Sequence, residues 1–161
     1  MALPPLTADA ILVGATAADW REAVRLAGQA LANSGAAHPG YAEEMIRMIE
    51  EHGPYVVIAP GLALAHARPG PEVLTGGLAV VTLATPVAFG HPHNDPVAVV
   101  LGLAVDSSSA HLAEVARLAN VFNDASAIPA IASAADAATI IRIMTGAGAD
   151  GAGVGGSEER T

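Results

Sequence analysis

Two near-continuous apolar runs constrain the fold of this chain more than any other feature. Leu78–Ala84 and Val97–Val105 contain no charged residue, which is typical of strands that are buried on both faces of a sheet. The β-branched segment Tyr55–Ala59 and the apolar segment Leu62–Ala67 are short and are separated by a Pro60-Gly61 turn, a pattern that predicts two further strands. Together these segments predict a central sheet.

Helical periodicity surrounds the predicted sheet. Thr16 and Asp19 form a capping-box-like start, and the apolar spacing that follows predicts a first helix over Ala17–Asn33. A second helix begins at Tyr41 and ends at Gly53-Pro54. Three more helices are predicted after the sheet, over Ser109–Phe122, Ala125–Ala132 and Ala135–Met144. The predicted fold class is therefore α/β, a three-layer α/β/α domain with a central mixed β-sheet flanked by helices.

Length and composition limit the organisation and the partners of the chain. The 161 residues suit one domain, which we expect to span residues 1–146, with a glycine-rich and disordered tail at 147–161. Sixteen acidic residues against seven arginines give a net charge of −9, which argues against nucleic acid as a partner. Cysteine is absent, no apolar run reaches the ~20 residues that span a bilayer, and no basic residue precedes an apolar leader. A cytoplasmic protein is expected.

His66 is the first candidate for chemistry, because it ends an apolar strand. In an extended segment it shares a face with Leu62, Leu64 and Arg68. An imidazole can act as a nucleophile near neutral pH, and a guanidinium binds phosphate in a bidentate manner. His66 and Arg68 therefore suggest phosphate chemistry, although a histidine held by backbone at a strand end, beside a solvated arginine, explains the same pattern.

Three other histidines are candidate site residues. His111 is predicted in the first turn of a helix, where the dipole keeps the ring neutral and backbone N–H groups attract anions. It could hold a phosphoryl oxygen or be a surface residue in a cap. His91 and His93 flank Pro92 in a metal-like spacing, but a zinc site normally takes three or four ligands. A polar turn between two strands explains this segment better.

The motifs taken as a set resemble a known family. The segment 53–70 (GPYVVIAPGLALAHARPG), the segment 86–97 (PVAFGHPHNDPV) and the segment 106–122 (DSSSAHLAEVARLANVF) follow one another in this order. They resemble the type-2 enzyme IIA components of the bacterial phosphoenolpyruvate-dependent sugar phosphotransferase system, of the mannitol/fructose-type superfamily. The likeness is greatest to the ascorbate-specific branch.

The resemblance implies roles for four residues. His66 occupies the position of the histidine that is phosphorylated, usually on Nε2, and His111 the position of a second active-site histidine that stabilises the phosphoryl group. Asp95 matches an acidic turn residue near the site. Arg68 is given the role of the family's arginine on the second helix, because Arg47 is out of register. Ala65 departs from the proline that commonly precedes the active histidine.

A phosphoryl relay without cofactor or metal follows from this resemblance. His66 would receive phosphate from the histidine-containing phosphocarrier protein and pass it to a cysteine of a IIB component, which serves a membrane IIC component indirectly. Such partners would dock on a shallow apolar surface around His66 that includes Leu62 and Leu64. A regulatory phosphoprotein of the same fold is the main alternative, and a zinc hydrolase using His66, His91, His93 and His111 is a third reading. The transported sugar and the oligomeric state stay open, a homodimer included.

Overall fold

The computed structural model of the chain describes residues 6–107, 116–118, 120–124 and 126–146. A short 3-10 helix at Ala8–Ala10 precedes the first strand. The elements that follow, in chain order, are β1 (Ile11–Ala15), α1 (Trp20–Asn33), α2 (Tyr41–His52), β2 (Val57–Ala59), β3 (Leu62–His66), β4 (Gly77–Val87), β5 (Val97–Ala104), α3 (Ala127–Ala132) and α4 (Ala137–Gly146). Residues 116–118, 120 and 121 are also helical. Within this described part, every helix is too short or too polar to cross a membrane.

The five strands form one mixed sheet in the order β1-β4-β5-β3-β2. β1 pairs with β4, and β3 with β5, in parallel. β4 pairs with β5, and β2 with β3, in an antiparallel manner. The prediction of a mixed central sheet is therefore confirmed.

Helices cover both faces of the sheet, which confirms the three-layer prediction. On one face α1 and α2 pack with Val24, Leu31 and Met45 against the small side chains of β3, Ala63 and Ala65. On the other face α3 and α4 pack with Ile131, Ile140 and Met144 against Leu62 and Leu64. The alternation along β3 thus places alanines under α1 and α2 and leucines under α3 and α4, as the extended pattern predicts.

Several predicted boundaries need correction. The first helix begins at Trp20 instead of Ala17, because the Asp19 carboxylate caps it by accepting the Glu22 N–H (2.9 Å). The Glu22 carboxylate in turn accepts the N–H of Ala18, the residue before the N-cap, an arrangement that is similar to a capping box. The strand β1 was not predicted. The predicted helices over Ala125–Ala132 and Ala135–Met144 begin two residues later, at Ala127 and Ala137.

The remaining predictions concern the exposure of Leu62 and Leu64 and the C-terminal part of the chain. Leu62 and Leu64 are fully buried beneath α3 and α4, so the prediction that they form part of an exposed docking surface is wrong. The predicted helix Ser109–Phe122 falls largely on residues outside the described part. The predicted tail at 147–161 lies outside it entirely.

Candidate functional site

His66 stands at the carboxyl end of β3, half-buried, where it pairs with Leu103 of β5. Its Nδ1 atom lies 2.8 Å from the backbone carbonyl oxygen of Leu64. A carbonyl oxygen can only accept, so this contact places the ring proton on Nδ1. In the neutral ring the nucleophilic lone pair is then on Nε2. The strand end therefore presents an imidazole in one defined tautomer.

Tyr55 packs against the His66 ring. The two ring centroids are 5.4 Å apart and the planes meet at 88°, an edge-to-face arrangement. The Tyr55 hydroxyl also donates a long hydrogen bond, 3.4 Å, to the backbone carbonyl of His66. Burial raises the pKa of Tyr55, and the charge of Arg68 partly offsets this rise. The Arg68 guanidinium is thus near enough to act electrostatically on the group that covers His66.

Tyr41 holds the backbone on the other side of His66. This tyrosine begins α2 and is 1% exposed. Its hydroxyl accepts a hydrogen bond from the Ala67 N–H (3.0 Å) and donates one to the Leu103 carbonyl (2.9 Å). Burial raises the pKa of Tyr41 to about 12, the hydrogen bond to the Ala67 backbone opposes this rise, and the charge of Tyr55 adds to it. At neutral pH the hydroxyl therefore keeps the proton that it donates.

A cleft of about 660 Å³ opens between α2 and the loop that follows β3. Tyr41 and Ala67 line it, and His66 is not among its lining residues. Arg68, which is exposed, lines it from the loop, and Arg47 lines it from α2. Arg47 forms ion pairs with Glu44 and, at 3.9 Å, with Glu51. Two guanidinium groups and the carboxylates of Glu44, Glu51 and Glu72 thus line one cleft. A guanidinium is well suited to phosphate.

The structure places both arginines that the sequence interpretation considered. It brings Arg68 to the cleft and near enough to Tyr55 to lower the pKa of that tyrosine. It brings Arg47 to the same cleft, although the sequence interpretation set Arg47 aside as out of register. His111, the second predicted histidine of the site, lies outside the described residues.

Asp95 is not near His66, and that prediction is wrong for this chain. Asp95 precedes β5, and β5 runs parallel to β3 with Leu103 beside His66. The six residue steps from Val97 to Leu103 correspond to about 20 Å of extended strand, so Asp95 lies at the opposite end of the sheet. There its carboxylate accepts the backbone N–H groups of Phe89 (3.0 Å), Gly90 (2.8 Å) and His91 (3.1 Å). Asp95 therefore organises a turn.

The His91 and His93 segment belongs to the same turn. The Nδ1 atom of His91 accepts the backbone N–H groups of His93 and Asn94, each at 3.1 Å. The two rings are 6.2 Å apart between centroids. Among the described residues, no group of three or more His, Cys, Asp or Glu side chains could hold a metal ion. His91 thus acts as a backbone acceptor in this turn.

The sequence interpretation missed both tyrosines of the site. It treated Tyr41 as one member of the apolar stripe of a helix, and Tyr55 as a β-forming residue. One signal was available, because a buried tyrosine normally finds a partner for its hydroxyl. A tyrosine on the buried stripe of a helix therefore had to reach a polar group below it, which here is the backbone that follows His66.

A family model and curated relatives match most of this chain. The family model described as "Phosphoenolpyruvate-dependent sugar phosphotransferase system, EIIA 2" matches residues 5–146. The putative phosphotransferase IIA component SgcA of Escherichia coli (strain K12) is 35% identical over 130 residues, which cover 81% of this chain and 91% of that protein. The ascorbate-specific PTS system EIIA component of the same organism is 36% identical over 115 residues, which cover 71% of this chain and 75% of that protein.

A solved structure adds a fold comparison. It is the complex of enzyme IIA mannitol and phosphorylated enzyme IIB mannitol from Escherichia coli, and its matching chain has a TM-score of 0.78 and 25% sequence identity. The match covers 89% of this chain and 99% of that one.

Proposed function

The chain belongs to the EIIA 2 family of the phosphoenolpyruvate-dependent sugar phosphotransferase system, and we propose that it is a phosphoryl carrier that uses His66 as its acceptor. It takes the phosphoryl group from a histidine-containing phosphocarrier protein and passes it to a cysteine of a IIB component. We place this relay in the cytoplasm, upstream of a membrane IIC component. The observation that carries the proposal is the 2.8 Å contact between His66 Nδ1 and the Leu64 carbonyl.

This contact matters because it prepares Nε2 for in-line attack. In the first step the P–N bond to the donor histidine breaks, and a P–N bond to His66 Nε2 forms. The ring of His66 gains positive charge as its lone pair is used. That charge is shared with the Nδ1–H group, which the Leu64 carbonyl stabilises. The Leu64 carbonyl thus favours the state in which the phosphoryl group is on His66.

The charge of the phosphoryl oxygens needs a counterpart on the protein. Arg68 follows His66 by two residues and lines the adjacent cleft together with Arg47. A guanidinium can bind two phosphoryl oxygens at once, and most catalysis of phosphoryl transfer comes from positioning and charge stabilisation. We assign Arg68 to this role. His111 keeps the stabilising role that the resemblance implies for it.

In the second step the P–N bond of phospho-His66 breaks and a P–S bond to the acceptor thiolate forms. The 161 residues contain no cysteine, so the acceptor must come from outside them. The complex of enzyme IIA mannitol with phosphorylated enzyme IIB mannitol supports a IIB protein as the partner here. The name of the ascorbate-specific relative supports uptake of ascorbate or a similar sugar or polyol.

The transfer to IIB can be tested by discharge. Phosphorylated protein is mixed with an ascorbate-type IIB, with the same IIB carrying a Cys→Ser substitution, and with a mannitol-type IIB. We expect rapid discharge by the first, none by the second and slower discharge by the third. Equal discharge by the Cys and Ser forms would contradict the relay. Stable phospho-His66 with every IIB would favour the regulatory alternative.

A further inference from the structure

The peptide group between His66 and Ala67 is held from both ends by tyrosine hydroxyls. The Tyr55 hydroxyl donates a hydrogen bond to the carbonyl of this peptide group, which belongs to His66 (3.4 Å). The Tyr41 hydroxyl accepts a hydrogen bond from the N–H of the same group, which belongs to Ala67 (3.0 Å). The Tyr41 contact is the shorter of the two, and Tyr41 is also the more buried residue, 1% exposed against 39% for Tyr55.

Tyr41 acts at the point where regular pairing stops. β3 ends at His66, and the last residue pair between β3 and β5 is His66 with Leu103. The Tyr41 hydroxyl connects the next N–H, that of Ala67, to the carbonyl of Leu103. A loop containing Pro69 and Pro71 follows. The hydroxyl therefore extends the order of the sheet by one residue beyond His66.

We propose that Tyr41 is a positioning residue for phosphoryl transfer, whose hydroxyl fixes the peptide group after His66 and thereby the direction in which Nε2 meets the donor. This inference rests on the proposed function of His66. The His66 ring is hydrogen-bonded to the backbone of Leu64, which precedes it. The direction of Nε2 therefore depends on whether the backbone that follows His66 is held as well. Misplacement of a reacting group by 1 Å can cost about a hundredfold in rate.

The two tyrosines supply a matched pair of variants. Tyr41→Phe removes the buried hydroxyl and keeps the ring, whereas Tyr55→Phe removes only the longer and more exposed contact. Kinetics are measured with phosphorylated phosphocarrier protein as substrate, well below the melting temperature of each variant. We expect Tyr41→Phe to lower kcat by about tenfold to a hundredfold with little change in KM. Tyr55→Phe, which removes the longer contact to the same peptide group, should lower kcat less than Tyr41→Phe does.

A spectroscopic measurement separates positioning from loss of stability. Long-range ¹H–¹⁵N spectra of the imidazole report which ring nitrogen of His66 carries the proton. In the unmodified wild-type protein the proton should be on Nδ1 alone, and in Tyr41→Phe a mixture of tautomers is expected. A purely structural Tyr41 would change the melting temperature and leave this spectrum and kcat unchanged, which would overturn the proposal.

A second variant serves if Tyr41→Phe does not fold. Replacing the amide of Ala67 by an ester deletes its N–H and leaves Tyr41 in place. The same loss of kcat is expected if the Ala67 contact is the one that positions His66. Adding the ester to Tyr41→Phe should lower kcat by less than about a further twofold, because that contact is already absent in Tyr41→Phe. A wild-type kcat in the ester variant would contradict the inference. Failure of the wild-type protein to be phosphorylated on His66 would instead refute the proposed function.

Discussion

The Nδ1 atom of His66 lies 2.8 Å from the carbonyl oxygen of Leu64, two residues earlier in the same strand. Because a strand places residues i and i+2 on one face, this contact is built from a single element and needs no second part of the chain. The orientation of the proposed nucleophile therefore depends on the order of β3 and, where that strand ends, on the contact of Tyr41 with Ala67. The guanidinium that we propose to stabilise the phosphoryl charge, that of Arg68, comes from the following loop.

Replacing Arg68 should slow phosphorylation of His66. Arg68→Ala removes an exposed guanidinium two residues after His66. We expect the transfer rate to fall by about tenfold, less than for a buried donor because water screens the charge. Arg68→Lys keeps the charge but not the bidentate geometry, so its transfer rate should lie between those of the wild type and Arg68→Ala. Initial rates of ³²P transfer from the phosphocarrier protein provide the measurement.

Arg25→Ala is the matched control for Arg68. Arg25 is also exposed and pairs with Glu43 at 3.1 Å, but it does not line the cleft. Its replacement should leave the rate at the wild-type value. Equal slowing by both variants would mean that net charge, and not the position of Arg68, controls transfer.

Asp95 should contribute to stability and not to transfer. Asp95→Ala leaves three backbone N–H groups of the turn without their acceptor, which should cost about 2 kcal/mol of unfolding free energy. Urea denaturation measures this cost. His93→Ala, in the same turn and exposed, should change stability by less than about 0.5 kcal/mol. A folded Asp95→Ala protein that cannot be phosphorylated would restore Asp95 to the site.

Ionisation of Tyr41 should make the protein less stable at high pH. Its pKa is raised to about 12 from 10.0, mainly by burial, so between these values the unfolded chain releases a proton that the folded chain retains. The stabilising contribution is complete below pH 10 and is lost as the pH rises through 12. The difference of two pH units corresponds to a loss on the order of 3 kcal/mol.

Urea unfolding across this pH range tests the Tyr41 contribution. The wild-type protein should lose unfolding free energy steeply as the pH rises, and Tyr41→Phe should lose much less. Tyr55→Phe, which removes the only other tyrosine, should retain the steep loss. If Tyr41→Phe follows the wild-type curve, Tyr41 does not titrate as its burial requires.

The sheet was predictable where its strands are long and apolar, as in β4 and β5. The edge strand β1 was not, because its five residues, Ile11–Ala15, pair with β4 about seventy residues later, and a short apolar run does not by itself distinguish strand from helix. The burial of Leu62 and Leu64 depends on α3 and α4. The pattern of β3 shows that these leucines share a face, but not which helices cover that face.

The position of His66 at a strand end was predictable from the apolar run that it terminates. The position of Asp95 was not, since it depends on the relative direction of two strands. β5 runs parallel to β3, so the turn that precedes β5 lies at the start of β3, away from His66. The contact between Tyr41 and Ala67 spans 26 residues and likewise depends on how α2 packs against the sheet.

The central claim is that His66 is the phosphoacceptor, and mapping the labelled residue tests it most directly. The protein is incubated with phosphoenolpyruvate and the two general phosphotransferase proteins, and the modified residue is identified by mass spectrometry. We predict one phosphoryl group on His66 of the wild-type chain, none on a folded His66→Ala variant and wild-type labelling of His93→Ala. Label that persists in His66→Ala, or that maps to another residue of the wild-type chain, would contradict the account.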